Sequence, residues 1–166
     1  MEAAYLKVLS EFSHAVRRRE GRRIAALFAA DGMYADCFYG IAIGREAIER
    51  LIDEEFFSTA ARFRWTFHEP VCADGVMYAR YAFSYRSAEP AAPDRRVGFE
   101  GVAIMRFKGL EISAYREVAN TGPMLASLGY EPGRLRRILL KDDERVWSMP
   151  EFAAHQTDPE EEVELS

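Results

Sequence analysis

Apolar residues recur along the first stretch of the chain at Tyr5, Leu9, Phe12 and Val16. That spacing lays them along one face of a helix. Arg17, Arg18 and Arg19 follow, at the end where positive charge complements the helix dipole, and Gly21 breaks the pattern. Ile24, Leu27 and Phe28 mark a second, short helix ending near Asp31-Gly32. Met33 to Phe38 reads as a short strand. A glycine-bounded connection then leads to a third helix over Arg45 to Phe57, with Ile48, Leu51, Ile52 and Phe56 on one side.

Beyond Ser58 the period changes to two. Phe63, Trp65 and Phe67 alternate with Arg62, Arg64, Thr66 and His68, which directs His68 outward. Ala73-Asp74-Gly75 is a turn, and Met77, Ala79, Tyr81, Phe83 and Tyr85 share one face of the next strand. Ala88 to Asp94 is a Pro- and Ala-rich hairpin loop. Val97 to Phe107 is a long strand, apolar on both faces apart from Glu100, and Lys108-Gly109 turns into a last strand, Glu111 to Ala119. Helices followed by a meander of strands predict an α+β fold, with helices packed on one face of a curved antiparallel sheet. Strands apolar on both faces need a second cover, so a homodimer through the outer sheet face is expected.

The C-terminal part differs. Met124, Leu125 and Leu128 suggest one short helix and Leu135 to Leu140 another, with Trp147, Met149 and Phe152 as anchors for the stretch after it. The chain then ends on an acidic run, Asp158-Pro159-Glu160-Glu161-Glu162-Val163-Glu164-Leu165-Ser166, read as a solvated tail. The expected division is a domain over 1–140 and an extension over 141–166.

Composition narrows the function. The 166 residues are 49% hydrophobic, enough for one domain with a core. A formal net charge of -5 disfavours nucleic acid as a partner. The interrupted basic run Arg17-Arg18-Arg19-Glu20-Gly21-Arg22-Arg23 reads as a solvated helix end. Cys37 and Cys72 lack metal-ligand spacing and read as free thiols. With no signal-peptide pattern and no membrane-spanning run, a cytoplasmic location is expected. No metal, nucleotide or other cofactor and no covalent nucleophile is indicated.

The chemistry concentrates at Asp36, which lies among Tyr34, Phe38 and Tyr39. Such neighbours strip water from a carboxylate and raise its pKa toward that of a general base. The alternative is a strand-end carboxylate that caps a turn or pairs with Arg45. Glu117 shares the strand phase of Tyr115 and Ala119. It is either a second catalytic carboxyl or half of a salt bridge.

The segments Ala29-Ala30-Asp31-Gly32-Met33-Tyr34-Ala35-Asp36, Gly44-Arg45-Glu46-Ala47-Ile48, Ile104-Met105-Arg106-Phe107 and Tyr115-Arg116-Glu117-Val118-Ala119-Asn120 resemble, in order and spacing, the nuclear-transport-factor-2-like superfamily. The likeness is to its SnoaL-like branch of polyketide cyclases and ketosteroid-isomerase relatives, and it covers Tyr5 to about Leu128. It implies a cone-shaped, curved, mixed sheet with N-terminal helices around an apolar pocket. It puts Asp36 where ketosteroid isomerases carry their proton-moving Asp. It also puts His14 near the pocket mouth, at the place of their oxyanion-hole Tyr, and Ala103 at the place of their protonated acid. The epoxide hydrolases of the superfamily carry an Arg-x-Asp where this chain has Arg80-Tyr81-Ala82, and a second acid where it has Glu117.

The resulting expectation is a SnoaL-like enzyme acting on a small, largely apolar carbonyl compound by isomerase, cyclase or dehydratase chemistry. Asp36, Glu117 and His14 are its candidate catalytic residues. Tyr34, Phe63, Trp65, Tyr81, Phe83, Phe99 and Tyr115 are its candidate ligand-binding residues. The alternative is a non-catalytic ligand-binding or protein-interaction module of the same fold.

Overall fold

A computed structural model describes residues 2–58 and 60–156. The acidic run after Gln156 lies outside the described residues. The chain divides into two compact units, Met1–Tyr130 and Glu131–Ser166.

In the first unit, α1 (Glu2–Arg18) is followed by a short α2 (Gly21–Ala25). β1 (Phe28–Asp36) and β2 (Gly40–Ile43) come next, then α3 (Arg45–Arg50), which continues as a π-helical turn over Leu51–Phe56. The long strands β3 (Ala60–Ala73), β4 (Val76–Ser87), β5 (Arg96–Lys108) and β6 (Glu111–Ala119) follow, and α4 (Gly122–Ser127) closes the unit. The strands form one curved sheet in the order β2-β1-β6-β5-β4-β3. It is open, with β2 and β3 at its edges. β1 pairs with β6 in parallel and the other neighbours are antiparallel. The expected α+β class, with a mixed sheet and N-terminal helices, is the architecture observed. The second unit holds α5 (Pro132–Trp147) and a 3-10 turn over Pro150–Gln156. The helix expected over Leu135 to Leu140 is thus longer at both ends.

Two local expectations are corrected. The second helix stops at Ala25, and β1 begins at Phe28 rather than Met33. The Ile112 N–H donates to the Leu27 carbonyl, and Phe28 lies opposite Ile112. Pairing with a strand far along the chain overrides the short helical pattern. The glycine-bounded connection contains β2, because Ile41, Ala42 and Ile43 ladder onto Ala35, Tyr34 and Met33.

The α1 stripe of Tyr5, Leu9, Phe12 and Val16 is buried, joined by Val8 and Ala15. It meets aromatic residues of the inner sheet face. Tyr5 lies 4.4 Å from Phe107, and Phe12 lies 5.3 Å from Trp65 and 5.8 Å from Tyr115, centroid to centroid. In β3 the register shifts twice, between Ala61 and Arg64 and between His68 and Val71. Arg62 (φ 53°) and Glu69 (φ 51°) take left-handed conformations at these points, as β-bulges that bend a strand do. The outer face keeps apolar side chains in solvent, among them Ile41, Ile43, Tyr78, Val102 and Val118. No helix among the described residues is long and apolar enough to cross a membrane.

Candidate functional site

The parallel pairing of β1 with β6 sets the site. Tyr34 stands opposite Tyr115, with rings stacked at 5.0 Å and 19°. Side chains two positions apart on a strand share a face. Asp36 and Glu117 therefore follow on the same face, and the two strands present matching Tyr-x-acid pairs side by side. Asp36 also closes the reversal into β2. Its Oδ1 accepts the Phe38 N–H at 2.7 Å and the Tyr39 N–H at 3.1 Å, while Tyr34 donates its hydroxyl to Oδ2 at 3.1 Å. Glu117 Oε2 accepts two phenols, Tyr81 at 2.8 Å and Tyr115 at 3.0 Å, and Oε1 accepts the Cys37 N–H at 3.4 Å. Asp36 is 6% and Glu117 8% exposed.

Among the described residues, no cation partners either carboxyl. Arg45 pairs with Glu111 and donates to the Phe28 carbonyl, and Arg80 pairs with Glu69. Burial raises the Asp36 pKa above the usual range, and its backbone and Tyr34 hydrogen bonds pull it partly back. Burial, then the charge of Asp36, pushes Glu117 up to about 7, against the pull of the Tyr81, Cys37 and Tyr115 hydrogen bonds. Burial holds Tyr34, Tyr81 and Tyr115 above the usual phenol range. The three phenols stay neutral donors.

Both acids face a cavity of about 40 Å³. Phe63 and Trp65 from β3, Phe83 and Tyr85 from β4, and Phe99 from β5 wall it. Phe56, from the π-helical turn, and Cys37, Phe38 and Tyr39, from the β1–β2 reversal, complete it with Ala60.

Of the expected ligand-binding residues, Phe63, Trp65, Phe83 and Phe99 line this cavity. Tyr34, Tyr81 and Tyr115 do not. They sit behind the acids and hold them, because strand alternation puts each hydroxyl against a carboxyl before it can reach the open space. His14 is not brought to the site. It follows Phe12 by two residues, about 200° round the helix, and is exposed, sharing a 3.4 Å hydrogen bond with Ser10. It lines a separate groove with Leu6, Ser13, Arg17 and Thr66. Ala103 is buried beside Glu117 in the β5–β6 register and brings no donor. Sequence reasoning missed Cys37, Phe38, Tyr39, Phe56, Ala60 and Tyr85 as wall residues. A tight reversal after Asp36 was the available sign for the first three.

A carboxyl oxygen of Asp36, one of Glu117 and the Cys37 sulfur lie within 4.8 Å of one another. These three atoms are what the site offers a cation, in a mixed set of hard oxygens and one soft sulfur.

The model of the SnoaL-like domain matches residues 9–115. No curated protein matches. Several solved structures share the fold. A protein of ketosteroid-isomerase-like fold from Catenulispora acidiphila, in complex with trimethylamine, superposes with a TM-score of 0.66 at 19% identity, over 75% of this chain and 93% of its own. An epoxide hydrolase from M. tuberculosis gives 0.61 at 13% identity, over 76% and 90%. A protein from Xanthomonas campestris, assigned as a polyketide cyclase, gives 0.62 at 16% identity, over 76% and 97%. The chain belongs to the SnoaL-like domain family.

Proposed function

We propose that the chain is a cofactor-independent enzyme that moves a proton on a small, largely apolar carbonyl compound, with Asp36 as base and Glu117 as acid. The observation that carries this reading is the pair itself: two buried carboxyls in one aromatic cavity, held by neutral donors and, among the described residues, by no cation. Two such groups do not both ionise readily, so near neutral pH they divide into one carboxylate and one carboxylic acid. The two backbone N–H bonds on Oδ1 favour charge on Asp36. The carboxylate takes a proton from the carbon beside the carbonyl while the acid protonates the carbonyl oxygen. Return of both protons, one to a new position, completes an isomerisation, and loss of a β-hydroxyl as water gives dehydration. The small-molecule complex of the Catenulispora protein supports a small-molecule ligand here.

Solvent-exchange chemistry tests this without a known substrate. Enolisable aryl ketones, beginning with acetophenone, should take up deuterium beside the carbonyl in D2O when the protein is added. Asp36→Asn should keep the fold and abolish the uptake. Undiminished exchange in that variant would overturn the assignment of Asp36. The second reading, a non-catalytic ligand-binding module, draws on the small size of the cavity and the full engagement of its acids. Absence of exchange with every ketone that binds would favour it.

We further propose a homodimer built on the outer sheet face. In the register Tyr78, Ile104 and Arg116 form one cross-strand row, and Arg80, Val102 and Val118 the next. A face with apolar groups and, at Arg80 and its ion-pair partner Glu69, both signs of charge can complement its own copy across a two-fold axis. Cys72 is a free thiol, which suits a reduced, cytoplasmic setting.

A further inference from the structure

Trp65 carries a donor that nothing in the fold uses. Its indole Nε1–H is buried without a hydrogen-bond partner among the described residues, and the residue is 5% exposed. Buried unpaired donors are few in native proteins, and each one asks for a physical reason. Trp65 belongs to the wall that also contains Asp36 and Glu117. Its ring is fixed by Tyr81 at 4.8 Å, Phe83 at 4.9 Å, Phe12 at 5.3 Å, Phe67 at 6.0 Å and Phe56 at 6.3 Å.

The other donors at the acids are committed. Tyr34 and the Phe38 and Tyr39 amides serve Asp36, and Tyr81, Tyr115 and the Cys37 amide serve Glu117. His14 lies elsewhere and Ala103 has no donor. Among the described residues, the cavity wall therefore offers a ligand oxygen the acid pair and, on Trp65, a buried N–H without a partner.

We propose that Trp65 Nε1–H binds the oxygen of the ligand, so that the cavity selects a flat molecule bearing a carbonyl or enolate oxygen over its hydrocarbon counterpart. This rests on the reading of Asp36 and Glu117 as a proton-moving pair: the indole holds the oxygen that gains charge while the acids work beside it. A rigid donor in a water-poor site strengthens as that charge develops.

The chain has two tryptophans, so its indole N–H region holds two resonances, assigned with Trp147→Phe. Acetophenone and α-methylstyrene have the same shape and differ by C=O against C=CH2. The expected result is a downfield shift of the Trp65 indole proton with acetophenone and none with α-methylstyrene. Trp65→Phe should weaken acetophenone about threefold to tenfold more than it weakens α-methylstyrene, the worth of one neutral hydrogen bond. An unmoved Trp65 resonance while Phe83 and Phe99 ring signals shift would overturn the inference. So would equal binding of both compounds by the unaltered protein, or binding of neither. A moved resonance with exchange undiminished in Asp36→Asn removes the acid pair and keeps the donor. An unmoved resonance with exchange lost in Asp36→Asn does the reverse.

Discussion

Glu117 carries its proton to a higher pH in the folded chain than in the unfolded one. Its ordinary value of 4.5 rises to about 7 because burial and the neighbouring Asp36 both penalise its charge. Between these values the unfolded chain has released a proton that the folded chain keeps. The contribution of this group to stability is therefore complete below about pH 4.5 and is lost as pH rises through about 7. The difference is on the order of 3 kcal/mol. Denaturant unfolding from pH 4.5 to 8 should show that decline, and Glu117→Gln, which cannot ionise, should flatten it. An unchanged pH slope in Glu117→Gln would mean that another group carries the titration. Asp36 adds a slope of the same sign, since its pKa is also raised.

At the scale of elements, the acids depend on how three strands lie together. Gly101 on β5 stands opposite Tyr81 on β4, and a Cβ at this glycine would come within 2.5 Å of the Tyr81 hydroxyl and 2.6 Å of the Val118 carbonyl. The ring of Tyr81 uses the space that a side chain on β5 would fill. Gly101→Ala should displace that hydroxyl from Glu117, raise the Glu117 pKa above about 7, and cost about 1–3 kcal/mol of stability from overpacking. A carboxyl-carbon NMR titration and a denaturant curve read the two effects. Periodicity made the long strands and α1 legible, because their apolar faces are long enough to declare a period. The start of β1 and the whole of β2 were not, because Phe28 and the Ile41–Ile43 run owe their conformation to partners elsewhere in the chain. Asp36 and Glu117 were legible as acids among apolar neighbours. Their phenol partners carried the same signal twice, as Tyr34-x-Asp36 and Tyr115-x-Glu117, and only the parallel register shows that the two motifs adjoin. The π-helical turn that sets Phe56 left no sign in a pattern readable as α-helix.

For the whole molecule, the proposed homodimer rests on the outer sheet face. Ile41 and Val118 are 65% exposed and Ile43 67%, well above what a strand facing a partner retains. Light scattering coupled to size-exclusion chromatography should give twice the chain mass at micromolar concentration. Val102→Lys combined with Val118→Lys should give a monomer that keeps the cavity, since both residues lie on the face away from the acids. A monomeric unaltered protein would remove the dimer.

The parallel contact between β1 and β6 has a consequence for the order in which the chain folds. The Cys37 amide and the Glu117 carboxyl that it meets are 80 positions apart. Closing a loop of that length costs about 4 kcal/mol in chain entropy, whereas the antiparallel neighbours β3 to β6 join through short turns. The meander can assemble early from local contacts, while β1 must wait for the last strand to be made. During synthesis on the ribosome the two acids meet only after nearly all of the sheet has emerged, so a nascent chain carries both carboxyls long before they can share one cavity.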